Sequence, residues 1–244
     1  KDITPEQEYF IGRSVGATII STYKVYDNDE ATRYLNLLGQ SVARFSDMPN
    51  TFKGYRYLIL DTDEINAFAA PGGFIFISRG MIRLCRTEDD LAAVIAHEVG
   101  HVQLRHAVKA IKSSRLTSAL TTLAVEGTKS FAGDQLAQLT SAFEGSITDI
   151  TSTMMNSGYA RGQEREADRA AIVILQRMGY RQEALVDVLG RMGKALQTDQ
   201  RGFGSTHPPA DSRIKELVPI IDDTRTPVPT AARKKRFDRL LQGI

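Results

Sequence analysis

Two histidines four residues apart, with a carboxylate beside the first, stand at His97-Glu98-Val99-Gly100-His101. On a helix four residues make little more than one turn, so both rings leave one face about 6 Å apart along the axis. Two neutral imidazoles so placed can hold a zinc ion and leave coordination positions open. Glu98 is turned about 100° from His97, beside such an ion rather than on it, where it could take a proton from the water the ion activates. The pattern also arises by chance in ordinary helices, so the flanking residues matter. Thr87-Glu88-Asp89-Asp90 has the form of a helix start, with Thr87 as N-cap and Asp90 at the reciprocal capping position. The apolar run Leu91-Ala92-Ala93-Val94-Ile95-Ala96 follows, rich in helix formers. The histidines therefore fall within a mostly buried helix, expected over about residues 87 to 110, where polar side chains need partners.

A peptidase-type zinc site needs three protein ligands and one open position. A third histidine on the same helix, at His-Glu-x-x-His-x-x-Gly-x-x-His spacing, is ruled out because Leu104 and Ala107 occupy the later positions. His106, five residues past His101, is turned about 140° away on a regular helix, out of reach of the same metal and expected to be exposed. The other source is a carboxylate on a later helix. In Arg161-Gly162-Gln163-Glu164-Arg165-Glu166-Ala167-Asp168, Glu164 and Asp168 share a face, and Ala167, Ala170 and Ala171 would let this helix approach the first closely. Glu164 is assigned to the metal, and Asp168 to a hydrogen bond with a ligand ring. Glu166 points elsewhere and is the weaker choice. Read by themselves, Glu164 and Asp168 could equally be a surface pair bridged to Arg161 or Arg165.

These residues need elements to position them. Thr4-Pro5-Glu6-Gln7 reads as a helix start, and two helices are expected over 5 to 46 with a break at Asp27-Asn28-Asp29. Gly54 to Leu60 is strand-like. Asn66-Ala67-Phe68-Ala69-Ala70 and Phe74-Ile75-Phe76-Ile77-Ser78 flank Pro71-Gly72-Gly73 as strand, turn and strand. A helix from about Ala160 ends at Met178 with Gly179 as cap, and another covers about 181 to 196. A Gly-containing loop over 197 to 205 leads through His207-Pro208-Pro209 into a short helix to Leu217. Thr226-Pro227-Val228-Pro229 precedes a basic terminal helix. Residues 113 to 158 are poor in charge and rich in Ser, Thr, Gly and Ala. They suit either a loosely packed helical hairpin or a lid or membrane-facing element.

The 244 residues suffice for one substantial core, and the balance of 42% hydrophobic to 25% charged residues is that of a globular protein. A net charge of +2 gives no electrostatic case for a nucleic-acid partner. Arg233-Lys234-Lys235-Arg236 reads as a solvated helix face, with contact to lipid headgroups, RNA or a partner as the lesser alternative. The single cysteine, Cys85, excludes an intrachain disulfide framework. No run approaches the roughly 20 apolar residues of a membrane span. A chain beginning at Lys1 rather than Met is read as processed, after removal of a targeting segment.

The motifs together resemble the HtpX, CAAX-prenyl-protease and Oma family of zinc metallopeptidases, in its soluble cell-envelope branch. The likeness rests on Asn66 to Gly73, His97 to His101, Glu164-x-x-Ala167-Asp168, and His207-Pro208 with Arg213 six residues after the histidine. It implies an α+β, mostly helical, zincin-like (minigluzincin) fold with a small β-sheet beside the active-site helix. It also implies one Zn2+ held by His97, His101 and Glu164, with Glu98 as base. Residues 1–222 would form one metallopeptidase domain with its core at about 54–216, and 223–244 a linker and basic helix. His207 and Arg213 would lie near the metal, as oxyanion donors, or with His207 as a further ligand that latches the site. His207 could also be a loop contact before the prolines. The strand Asn66, Ala67, Phe68, Ala69 would bind extended or unfolded polypeptide by strand addition. The expected role is quality control of cell-envelope proteins, with a chaperone or assembly factor carrying a latched site as the alternative. The oligomeric state stays open.

Overall fold

The computed structural model describes residues 3–111, 115, 141–196, 207–222 and 230–244. The chain opens with α1 (Pro5–Thr22), capped by a reciprocal Thr4/Gln7 box, and α2 (Asp29–Arg44), capped by Asn28. Three short strands follow: β1 (Arg56–Leu60), β2 (Ala67–Ala70) and β3 (Phe74–Ser78). β2 and β3 are antiparallel across a tight Pro71–Gly73 turn, in which Gly72 takes a φ of 72° that a side chain would resist. β1 runs parallel to β3, giving the order β1-β3-β2 with β2 at an edge.

Both faces of the sheet are covered. Tyr57, Ile59, Ala67, Ala69, Ile75 and Ile77 join the core shared with α2 and α4 (Glu88–Gln103), while Leu60, Phe68 and Phe76 meet Ile11, Val15 and Ile19 of α1 on the other side. A strand pattern that is apolar at every position, as in Phe-Ala-Ala or Phe-Ile-Phe-Ile, is what such a doubly covered sheet requires. Between β3 and α4 lies α3 (Arg79–Leu84), a short helix capped by Ser78 that the sequence reading did not separate.

The long helix expected over 87 to 110 is two helices. α4 ends at Gln103, Arg105 adopts a left-handed φ of 55°, and α5 (His106–Lys109) begins afresh. Further on come α6 (Glu144–Ser152), running into a π-helical turn at Thr153–Ser157, then α7 (Arg161–Met178) with Gly179 as its left-handed cap. The α6 segment packs on α1 through Phe143, Ile150 and Met154. Most of the low-charge stretch expected from 113, and the 197–205 and 226–229 loops, fall outside the described residues.

α8 (Glu183–Leu196), α9 (Ala210–Leu217) and α10 (Ala231–Gln242) complete the chain. α10 does not present its basic cluster wholly to solvent. Phe237 and Leu240 enter the main core, while Arg236 donates twice to Glu88 (2.6 and 3.1 Å) and Arg233 reaches Asp89 at 3.4 Å and lies over the Tyr180 ring. The reason is the N-terminus of α4, where Glu88, Asp89 and Asp90 are all buried and need cationic partners. Arg191 of α8 serves Asp90 at 2.7 Å.

Candidate metal centre

All four histidines of the chain meet in one place. His97 and His101 project from one face of α4 with their Nε2 atoms 3.1 Å apart. Glu164, on the first turn of α7, turns its carboxylate to the same point: Oε1 lies 3.4 Å from His101 Nε2, and Oε2 3.7 Å from His97 Nε2. His207, just before α9, brings its Nε2 to 3.6 Å from Glu164 Oε1. These four side chains each offer one ligand atom, all within 4.8 Å of one another.

Two observations decide whether these residues suit a metal. Neither carboxylate oxygen of buried Glu164 has a hydrogen-bond partner among the described residues. Such a group is costly unless something fills its lone pairs. In addition, a tetrahedral zinc with ligand distances near 2.0–2.1 Å places its donor atoms about 3.3 Å apart, close to the separations seen between these nitrogens and oxygens. The donor set of imidazole and carboxylate suits the same ion.

The outer shell fixes the rings. His97 Nδ1 lies 2.9 Å from Asp168 Oδ1, which leaves Nε2 to face the centre. Asp168 is gripped by Arg213, whose Nε and a terminal nitrogen donate at 2.9 and 2.6 Å, and this guanidinium holds the carboxyl well below the usual range. Arg213 reaches the site through Asp168, with a terminal nitrogen 3.3 Å from His97 Nδ1. Arg213 and Asp168 meet as a buried bidentate pair, and the other terminal nitrogen of Arg213 lies 4.0 Å from Glu164 Oε2. Glu98 lines a small apolar cleft with Met81, Val94 and Leu185, and burial raises its carboxyl to about 8. Burial likewise raises Glu164 to about 9, opposed by Arg213, and pushes both His97 and His101 down.

His106 overturns its expectation of exposure: its residue is 0% exposed. The left-handed turn at Arg105 breaks the regular helix on which the 140° rotation depended. The ring therefore swings back to place Nδ1 at 2.9 Å from His101 Nδ1. Its Nε2 lies 3.0 Å from Glu166 Oε2, so Glu166, although turned from the centre, supports it. Tyr159 stacks on a face of His101 at 4.4 Å and lies 5.9 Å from the His106 ring. Neither Arg105 nor Tyr159 carried a local signal; the one hint was a fourth histidine in a chain that has so few. Of the strand residues, Asn66 is bound up internally, its Oδ1 accepting from the Ala67 amide and its own amide donating to Ser78 Oγ. Ala67, Phe68 and Ala69 are buried in β2.

The model of peptidase family M48 matches residues 29–221, which contain every residue of this centre. The chain belongs to peptidase family M48. The M48 relatives include the beta-barrel assembly-enhancing protease of Yersinia pestis, 29% identical over 95% of this chain and 50% of that protein. The mitochondrial metalloendopeptidase OMA1 of Schizosaccharomyces pombe is 31% identical over 62% of this chain and 42% of its own length. The metalloprotease LoiP of Escherichia coli is 27% identical over 76% of this chain and 67% of its own length. The chain thus spans about half the length of the first of these relatives. M48 peptidases use a metal ion, and the cluster described above is where this chain could bind one.

Proposed function

We propose that this M48 chain is a zinc-dependent metalloendopeptidase of zincin-like, minigluzincin fold that binds one Zn2+ through His97, His101 and Glu164. The observation that carries the reading is the convergence of two imidazole Nε2 atoms on a buried carboxylate without a hydrogen-bond partner, with Glu98 one residue from the first imidazole. The ion would supply Lewis-acid polarisation of the scissile carbonyl and activation of the attacking water. Glu98, which lines the cleft beside His97, would take the proton from that water and deliver it to the leaving amine. Asp168 orients His97, and Arg213 orients Asp168.

β2 stands at the sheet edge, where an extended segment would add as a strand and be recognised more by backbone than by side chain; with Ala67, Phe68 and Ala69 only 2–3% exposed, the cover over β2 must move first. Relatives named as a beta-barrel assembly-enhancing protease support a site of action in the cell envelope, in the periplasm, on unfolded or damaged envelope proteins. No helix among the described residues is long and apolar enough to cross a membrane. Glu98→Gln keeps zinc stoichiometry and lowers cleavage of an unfolded casein substrate by at least about a hundredfold. Full activity in that variant sinks the mechanism.

A second reading has one observation in its favour. His207 stands among the ligand atoms, where it could occupy the remaining position and latch the site. The chain would then act as a chaperone or assembly factor. His207→Ala raises cleavage if the latch operates and lowers it if His207 assists the reaction.

A further inference from the structure

His97 and His101 are supported in different ways. His97 meets a carboxylate directly, at Asp168. On its Nδ1 side His101 meets a second imidazole, and through it the carboxylate of Glu166. We propose that His106 and Glu166 form a positioning relay that holds His101 in the tautomer able to bind the metal. The inference rests on the zinc-site reading above and extends it to two residues outside the ligand set.

The argument follows from which atom must carry each proton. Glu166 Oε2, 3.0 Å from His106 Nε2, accepts when ionised and cannot donate, so the proton there belongs to His106. Neutral His106 then presents Nδ1 as an acceptor. His101 Nδ1 lies 2.9 Å away, and two ring nitrogens at that separation share one hydrogen, which must sit on His101. His101 is left with a bare lone pair on Nε2, the atom that faces Glu164 and His97. In the opposite arrangement, a proton on His106 Nδ1 would force His101 to carry its own on Nε2 and close that atom to a metal.

The backbone is bent to make this relay. A left-handed conformation is strained at a residue other than glycine, and Arg105 adopts it. Its guanidinium is tied down by Glu8 at 3.0 Å and by the Ile3 carbonyl at 2.9 Å. Glu8 is itself buried and also accepts from the Gly72 amide. Thus α1 and the β2–β3 turn secure the break that turns His106 inward. Tyr159 stacks on a face of His101, so the ring is held by its face as well as by its Nδ1 edge.

The test compares zinc affinity, measured by chelator competition, with the tautomers seen by 15N-edited NMR of the zinc-loaded, histidine-labelled protein, which has only four such residues. Zinc-loaded wild type shows the hydrogen of His101 on Nδ1, that of His106 on Nε2, and a coupling across the Nδ1–Nδ1 bridge. His106→Leu, which keeps bulk and removes the acceptor, weakens zinc binding roughly 10- to 100-fold. His106→Asn, whose Oδ1 replaces Nδ1 as acceptor, restores it to within about threefold. Wild-type affinity in His106→Leu, or a hydrogen on His106 Nδ1 in wild type, overturns the relay. The NMR result decides the matter even if the leucine variant does not fold. If wild type takes up no zinc, or Glu164→Ala binds it as tightly, the metal-site reading itself fails, a result distinct from failure of the relay alone.

Discussion

Gly100 lies between the two candidate ligand histidines, where α4 crosses α7. A Cβ built on it would stand 2.9 Å from the Ala167 carbonyl oxygen, 3.2 Å from Ala167 Cα and 3.2 Å from Ala170 Cβ, whereas ordinary contact begins at 3.4 Å. Backbone cannot rotate away as a side chain can, so Gly100→Ala must push the two helices apart by roughly 0.5 Å. Two opposing effects set the stability change. Alanine gains about 1 kcal/mol in helix propensity over glycine, and overpacking costs about 1–3 kcal/mol. The metal-free protein should therefore lose about 0–2 kcal/mol, a fall in Tm of at most about 8 °C for a domain of this size. Zinc binding should suffer more. His97 and His101 ride on α4 while Glu164 rides on α7, and ligand distances hold to about ±0.2 Å. We expect a 10- to 100-fold loss of zinc affinity, or about 1.4–2.8 kcal/mol. Chelator competition gives the affinity and differential scanning fluorimetry in chelator gives the metal-free Tm. Gly190→Ala, at a helical glycine with nothing within 4 Å of an added Cβ, is the control. If Gly100→Ala keeps wild-type affinity and gains stability as the control does, the close crossing is not what sets the ligand geometry.

Three further outcomes are expected. Glu164→Ala should cost more than about a hundredfold in zinc affinity, beyond the range of an outer-shell change, whereas Glu166→Ala, acting only through His106, should stay within the roughly 10- to 100-fold of such a change; equal losses in the same chelator titration would mean that the wrong carboxylate was assigned. Metal-free protein should become less stable as pH rises from about 7 to about 8: Glu98 and Glu164 hold most of their protons in the folded state there but none in the unfolded one, so folding retains protons that unfolding releases, while His97 and His101, lowered in the folded state, oppose this only through the smaller residual protonation of their unfolded forms. Thermal melts in chelator would show it, Glu164→Gln should flatten the slope, and a Tm that climbs over this interval contradicts the burial of the two carboxyls. Phe237→Ala in α10 should destabilise the protein by about 3–5 kcal/mol in urea unfolding, as for any fully buried aromatic, and a loss under 1 kcal/mol would show that the terminal helix is not part of the core.

The parts of this protein that could be read from the sequence are those governed by local rules. The Thr87/Asp90 capping box starts α4 where the pattern says it should, and Gly179 ends α7 through its left-handed φ. The turn at Pro71-Gly72-Gly73 separates two strands as its composition requires. Helical spacing put His97 and His101 on one face, and the small residues of α7 foretold its close approach. What escaped depended on long-range contacts. Nothing near Arg105 announces a left-handed residue; the contacts that hold it come from Glu8 and Ile3, about a hundred residues earlier in the chain. The solvated face expected of Arg233 to Arg236 holds for Lys234 and Lys235, while the ion pairs of Arg233 and Arg236 escaped for the same reason. A run of basic residues does not reveal that buried acids wait for it at the start of another helix.

Those distant contacts have a common target. At its N-terminus α4 is held by Arg236 on Glu88, Arg233 on Asp89 and Arg191 on Asp90, where three carboxylates also complement the positive end of the helix dipole. At its C-terminus the helix is stopped by Arg105, anchored on α1. Along its middle, Gly100 brings it against α7. A helix fixed at both ends and pressed along its length cannot slide or rotate without stripping buried carboxylates of their cationic partners, which costs free energy because the carboxylates are left unpaired. That rigidity is what a site with ligands on two different helices requires, since the third ligand is useful only if its helix keeps a fixed distance from the other two. The charged residues buried at the ends of α4 are therefore best understood through the metal centre at its middle: they fix the axis from which His97, Glu98 and His101 are aimed.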